Sequence, residues 1–296
     1  MDDMDHNKIE NFGLNVQEFF SVKEGIKSVM RTSLNVKDIN IIKEICKKHK
    51  LTVISKPILD VIRPNEKSTY PSHLLYISSS KKLGIEAYES EKSGNEKKLG
   101  ELLGYPKCCV DSYISTAPKR KFSFITHSFI KTQGELSFYV NNIFKLDTRL
   151  GRKEDRKIIS KNPNFLMNYP QFYLISHIPC SFNCKESIKN GKEILKILKT
   201  KRPEFSKKII ENIRKIFLFF DDFNWIAFEG KMKKNGLKYN KVFRFNSLSL
   251  TKYKKAIENG NTIEVSNEEV LIMKDDKILL KIKKNNKYGG IILDFT

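Results

Sequence analysis

Two short segments hold four of the chain's five cysteines. The first reads Gly104-Tyr105-Pro106-Lys107-Cys108-Cys109, the second His177-Ile178-Pro179-Cys180-Ser181-Phe182-Asn183-Cys184. Cysteine thiolates ligate zinc and iron–sulfur clusters, and neighbouring thiols exchange disulfides. The expectation is one centre built from both segments. It would hold an iron–sulfur cluster or zinc through Cys108, Cys109, Cys180 and Cys184, or work as a metal-free thiol redox group. The plainer alternative is two buried cysteine pairs with no chemistry, since free cysteine is among the most buried residue types. Both segments are rich in turn residues rather than in an apolar stripe, which favours the centre.

Each segment repeats one device: a proline, then cysteine, then a helix. Pro106 suits the first position of a helix, which puts Cys108 and Cys109 in its first turn. Pro179 forces a turn after a predicted strand. Ser181 is the predicted N-cap of the next helix, with Cys184 in its first turn. Free N–H groups and the helix dipole stabilise a thiolate at such a terminus. Successive helical residues point about 100° apart, so Cys108 and Cys109 are not expected to be equivalent ligands. One should ligate while the other packs or acts as a redox partner. Cys180 and Cys184, four residues apart, share one helical face. His177, three residues before Cys180, is a candidate fifth ligand or general acid/base, set against the structural role that a lone histidine more often has. Ser181 and Ser187 are candidate hydrogen-bond partners of the sulfurs.

Spacing narrows the chemistry. A zinc ribbon needs two Cys-x-x-Cys knuckles, and neither is present. A zinc deaminase needs His-x-Glu and Pro-Cys-x-x-Cys, whereas Pro179-Cys180 is followed by three residues before Cys184. The three-cysteine loop of a radical S-adenosylmethionine enzyme would need a cysteine at position 187, which is serine. A third thiol must then come from Cys108 or Cys109. A three-cysteine site with an open iron and a Cys₃His zinc site both satisfy these spacings.

At these residues the chain resembles a family of uncharacterised, mainly archaeal proteins, a domain of unknown function. Its signature pairs Gly-Tyr-Pro-x-Cys-Cys with His-x-Pro-Cys-Ser-x-x-Cys, and Gly104 to Cys109 and His177 to Cys184 carry both without departure in the cysteines. The likeness extends over about residues 36–200. It carries no assigned activity. It implies an anaerobic, methanogen-like setting where oxygen-sensitive clusters are common, which favours iron–sulfur over zinc.

The net charge is +21, from 55 Lys and Arg against 34 acids in 296 residues. Lys and Arg gain affinity for polyanions by releasing phosphate counterions, so nucleic acid, RNA more than DNA, is the expected partner. An AT-rich codon bias would also enrich lysine, though it need not deplete acids. Lys231, Lys233, Lys234, Lys241 and Arg244 are interleaved with Tyr239, Phe243 and Phe245, the composition of a face that stacks bases and meets phosphates. A solvated sheet face over core aromatics has the same composition. Lys119, Arg120 and Lys121 follow the first cysteine pair closely enough to bring an anionic substrate to the thiols. The acidic start and the short apolar runs give no secretory or membrane-spanning signal. The expected location is cytoplasmic, without membrane, where clustered cysteines are more often ligands or redox groups than disulfides.

Hydrophobic periodicity supplies the elements that must position these residues. Helices are predicted over residues 16–30, 36–49, 97–103, 186–198 and 204–220. Cys46 falls on the apolar stripe of the second with Ile39, Ile42 and Ile45, as a core residue. Strands are predicted at 51–54, 73–77 and 172–175, the last leading into the second cysteine segment. Six β-like runs follow residue 224, with Asp275-Asp276-Lys277 as a hairpin turn. The expected fold is α+β, or mixed α/β: residues 1–203 carry the cysteine site, and residues 204–296 form a helix and a β-rich basic module.

Overall fold

The computed structural model describes residues 14–57, 72–117, 123–145, 172–247 and 249–296. The fold is α+β. Among the described residues it has two antiparallel sheets, a small one of three strands and a large one of seven.

Helix α1 (Val16–Lys23) is capped by Asn15, whose side-chain oxygen accepts from the Glu18 N–H at 3.1 Å. It stops short of the predicted residue 30. Gly25 turns the chain at φ +77°, a left-handed conformation that glycine adopts without steric cost. The chain then enters strand β1 (Val29–Asn35). Helix α2 (Ile39–Lys48) buries Ile39, Ile42, Ile45 and Cys46 on one face, as the stripe predicted. Strands β2 (Thr52–Pro57) and β3 (Ser72–Ser78) complete the small sheet, with β3 central. Helices α3 (Lys81–Lys92), α4 (Glu96–Leu102), α5 (Lys107–Thr116) and α6 (Phe124–Ile130) follow. Gly104 ends α4 at φ +69°, and a Cβ there would come within 2.8 Å of the Lys27 side chain. The turn into the first cysteine segment thus has two reasons to be glycine.

Residues 172–175, predicted as a strand, are buried irregular chain. Their backbone is served by side chains instead of a ladder: Gln17 Nε2 donates to the Tyr173 carbonyl at 2.8 Å. Helices α7 (Lys185–Lys201) and α8 (Pro203–Ile213) come next. The helix predicted to reach residue 220 ends at Ile213. Ile216, Phe217, Leu218 and Phe219 are all fully buried, on both faces of a strand, β4 (Ile216–Asp221), that lies inside the large sheet with a neighbour on each side. An unbroken apolar run of this length reads alike in either state.

The six β-like runs after residue 224 are strands β5 (Asn224–Lys233), β6 (Gly236–Ser247), β7 (Thr262–Val265), β8 (Glu269–Lys274), β9 (Lys277–Lys283) and β10 (Ile291–Asp294). Helix α9 (Lys254–Asn259) interrupts them. Asp275 and Asp276 both take positive φ, 47° and 67°, the backbone of a type I′ hairpin turn. One core packs α1, α2, α7 and α8 against the small sheet. A second joins Ile125, Phe144, Phe172 and Phe182 to Phe217, Trp225, Leu293 and Phe295 of the large sheet and its C-terminal end. This core fixes the cysteine loop against the sheet, because Phe182 lies between Cys180 and Cys184.

Candidate metal centre

The sulfurs of Cys108, Cys109, Cys180 and Cys184 all lie within 4.8 Å of one another. Three of the separations are 3.9 Å (Cys108 to Cys109), 3.6 Å (Cys108 to Cys184) and 3.7 Å (Cys109 to Cys184). Four sulfurs on a tetrahedron about 2.3 Å from one ion are about 3.8 Å apart. Cys108, Cys109 and Cys184 therefore have the spacing of three ligands of one four-coordinate ion, with Cys180 within 4.8 Å as the fourth thiol. A four-iron cluster places its thiolates on four separate irons around an inorganic core. Sulfurs gathered this closely have room for one ion and are too close together to hold such a core.

Contrary to the 100° expectation, Cys108 and Cys109 both turn to the site. Pro106 is the N-cap of α5, so the two cysteines occupy the second and third helical positions. Helical side chains lean toward the N-terminus. A site lying off that end, rather than beside the helix, is within reach of both. Ser181 is not the cap of α7: its hydroxyl bonds Asn183 Oδ1 at 2.9 Å. Cys184 itself is the N-cap residue, one position ahead of the helix. The thiols thus gather where two helices begin, and both positive helix ends favour negative charge on sulfur.

The surroundings are polar in a directed way. The backbone N–H of Cys180 donates to Cys109 Sγ at 3.3 Å, and Ser187 Oγ lies 3.1 Å from the same sulfur. Ser187, the predicted hydrogen-bond partner and the place where a third loop cysteine would sit, serves the cluster as a hydroxyl. Contacts from Cys109, Cys180 and Ser187 hold the Cys184 thiol well below its ordinary range. The hydrogen bonds with Cys180 and Cys184 push Cys109 up. Burial, with Cys184 next in weight, pushes Cys108 up to about 12. Without an ion, negative charge concentrates on Cys184. Cys108 is exposed, Cys180 half-buried, and Cys109 and Cys184 buried. Cys46 belongs to the α2 core, apart from the cluster.

His177 stands one link from the sulfurs and is not among the clustered ligands. Its Nε2 is 2.8 Å from Ser187 Oγ, so a chain runs from His177 through Ser187 to Cys109. Asn142 Nδ2 donates to the His177 carbonyl at 2.7 Å. The ring packs on Tyr105 at 5.2 Å. Burial, and then the Lys27 charge, push the imidazole down to about 3, so it is neutral across the physiological range.

Several residues with no local sequence signal complete this corner. Lys27 Nζ donates to both Glu18 oxygens at 2.6 and 2.8 Å and to Ser176 Oγ at 2.9 Å. It also lies 5.4 Å from the Tyr105 ring. Burial, then Glu18, push the Tyr105 hydroxyl up to about 12. Only Tyr105 lies in a recognisable motif; Glu18 and Lys27 come from α1 and the turn after it.

The predicted nucleic-acid residues lie elsewhere. Lys231, Lys233, Lys234 and Lys241 are exposed on the β5–β6 hairpin, with Arg244 half-buried. Lys241 sits 3.7 Å from Glu229, and Arg244 lies 5.8 Å from the Phe172 ring. The interleaved aromatics turn inward: Tyr239 is buried, while Phe243 and Phe245 pack against the second and third cores. Lys119, Arg120 and Lys121 lie outside the described residues. Among the described residues, no helix is long and apolar enough to cross a membrane.

Fold and site together define an α+β protein with a four-thiol centre. Residues 79–216, a little under half of the chain, match a family model described as a protein of unknown function, DUF483. The match spans all four clustered cysteines, His177 and Ser187. No curated protein and no solved structure matches the chain.

Proposed function

We infer that the protein binds one zinc ion through Cys108, Cys109, Cys180 and Cys184, and that the ion is a structural clasp. The observation that carries this reading is the closeness of the four sulfurs: those of Cys108, Cys109 and Cys184 have the edge lengths of a single-ion tetrahedron, and Cys180 lies within 4.8 Å of each. Four protein thiolates fill a zinc coordination sphere, the arrangement of structural rather than catalytic sites. The clasp would tie the start of α5 to the loop that opens α7. Zinc would supply no proton or electron there. The chain's own groups hold the thiolates: two helix N-termini, the Cys180 N–H and the Ser187 hydroxyl.

Metal analysis of protein purified without oxygen tests this. One zinc per chain and no visible absorption is the expected result. One iron per chain with thiolate-to-iron colour would replace zinc by iron in the same site. Iron with inorganic sulfide would restore the cluster reading. Four freely alkylated thiols with no metal would leave the redox reading.

A nucleic-acid partner is a second reading, and one pairing supports it. Lys231 and Lys238 face each other across β5 and β6. Like charges directly opposite destabilise a sheet, and a phosphate would relieve them. With the aromatics turned inward, such contacts would read the backbone rather than the bases. Binding of a single-stranded RNA that falls steeply with salt, and weakens in Lys231→Ala, is the expected result. Salt-independent binding or none would count against it.

A further inference from the structure

A cavity of about 690 Å³ opens beside the thiol cluster, within the range of about 300–1,000 Å³ typical of small-molecule sites. It has two unlike walls. Leu99 and Leu103 at α4, with Val110 and Tyr113 of α5, form an apolar wall. Its charged lining is Glu18, Arg31, Glu91 and Lys145. Tyr105, Ser176 and His177 line it too, beside Cys109.

The charged wall is unevenly satisfied. Both oxygens of Glu18 accept from Lys27. Both oxygens of Glu91 accept from Arg31, at 2.5 and 2.6 Å, and one accepts from the Tyr76 hydroxyl as well. Each carboxylate oxygen therefore already has a donor. Arg31 uses two of its N–H groups in that pair, and a guanidinium has about five. The others have no partner among the described residues and, on an exposed side chain, are open to water or to a ligand. Lys145 adds a second positive charge to the same cavity. The N–H groups that Arg31 has left beside carboxylates already holding their cations suit a ligand that accepts hydrogen bonds and carries negative charge. The apolar wall calls for a hydrocarbon or ring body on the same molecule.

We propose that this cavity binds a small organic acid, its carboxylate on Arg31 and its apolar body against Leu99, Leu103, Val110 and Tyr113. The site rests on the zinc reading in one respect: the clasp fixes α5 and the loop after Ser176, which supply two of its walls. Lys27 remains bound to Glu18 and Ser176 and holds the inner end rigid rather than meeting the ligand.

The test uses the full chain, after metal analysis of the same sample, with indole-3-acetate, its neutral amide and acetate as probes in calorimetry. Saturable binding of indole-3-acetate, at least about tenfold tighter than either other probe, is expected. Arg31→Lys keeps a charge against Glu91 but loses the planar donors; it should weaken the acid about tenfold and leave the amide unchanged. Should that variant fold poorly, Thr32→Trp, which fills the cavity from β1, should abolish binding of the acid. Equal affinity for acid and amide, or no saturable acid binding by a chain holding one zinc, overturns the proposal. Acid binding by a folded chain that holds no metal would support the cavity and overturn the clasp.

Discussion

The sulfurs of Cys108 and Cys184 lie 3.6 Å apart across 76 positions of sequence. Neither helix that carries them needs the other for its own hydrogen bonds. Close thiols in a reducing environment gain little from each other's company, and four in one place repel once ionised. An ion that binds all four would turn this cost into a cross-link between α5 and α7.

Removing one thiol should therefore remove the ion. Cys180→Ala and Cys184→Ala are expected to retain less than about a tenth of the wild-type metal, while Cys46→Ala retains all of it. A ligand that binds only the folded state at about a thousand times its dissociation constant adds about 4 kcal/mol. A strong chelator should lower wild-type stability by at least that much and leave Cys184→Ala unaffected. Metal content and urea denaturation measure both effects. Equal metal in all three variants would place the ion elsewhere.

Cys46 gives a prediction in pH. It is fully buried in the α2 core, and burial pushes its thiol from 9.0 up to about 12. Between those values the unfolded chain has lost the proton while the folded chain keeps it. The contribution is whole below pH 9 and is lost as pH rises, by about 1.4 kcal/mol per unit. Cys46→Ala should flatten the alkaline fall in stability by that slope between pH 9 and 12. Parallel wild-type and variant curves in urea would show that the thiol is not held protonated.

The two cysteine segments, the core role of Cys46 and the strands after residue 224 were legible because each rests on local chemistry: helix starts, a 3.6-residue stripe, short runs set off by turns. The convergence of Cys108 and Cys109 was not, because it depends on the site lying off the helix end rather than beside it. Ile216 to Phe220 gave no periodic clue, since a strand buried on both faces carries no alternation. Residues 172–175 look like a strand by composition, but Gln17 of α1 donates to the Tyr173 carbonyl and Asn15, the cap of α1, to its hydroxyl. The cavity wall was invisible for the same reason: Glu18 and Arg31 reach the site only through the packing of α1 and β1 on the first cysteine segment.

The Glu18–Lys27 pair should behave as a buried charge pair. Both residues are almost fully enclosed, 5% and 4% exposed, with Nζ 2.6 Å from the carboxylate. Glu18→Gln or Lys27→Met alone should cost about 3–5 kcal/mol, because each leaves a buried charge without its partner. Replacing both, as Glu18→Leu with Lys27→Met, should recover most of that loss. A double-mutant cycle in urea measures the coupling. Additive losses would mean that water or other groups already compensate each charge.

Phe295, next to last in the chain, links the large sheet to the second cysteine loop. Its ring is fully buried, 5.1 Å from Phe182 and 5.9 Å from Phe217 in edge-on contacts. Phe182 lies between Cys180 and Cys184, and its backbone holds on both sides: its N–H donates to Thr132 Oγ1 at 2.8 Å, and its carbonyl accepts from the Ser137 N–H at 2.9 Å. Phe295→Ala should cost about 3–5 kcal/mol through the cavity it leaves. Part of that loss should fall on the loop, because Phe182 loses its packing partner while its backbone bonds remain. Metal should then pass to a chelator faster than from wild type, in a variant whose four thiols are unchanged. Phe228→Ala removes an equally buried ring from the far core, and should lower stability without speeding metal release. Equal release rates in the two variants would separate the sheet from the metal loop.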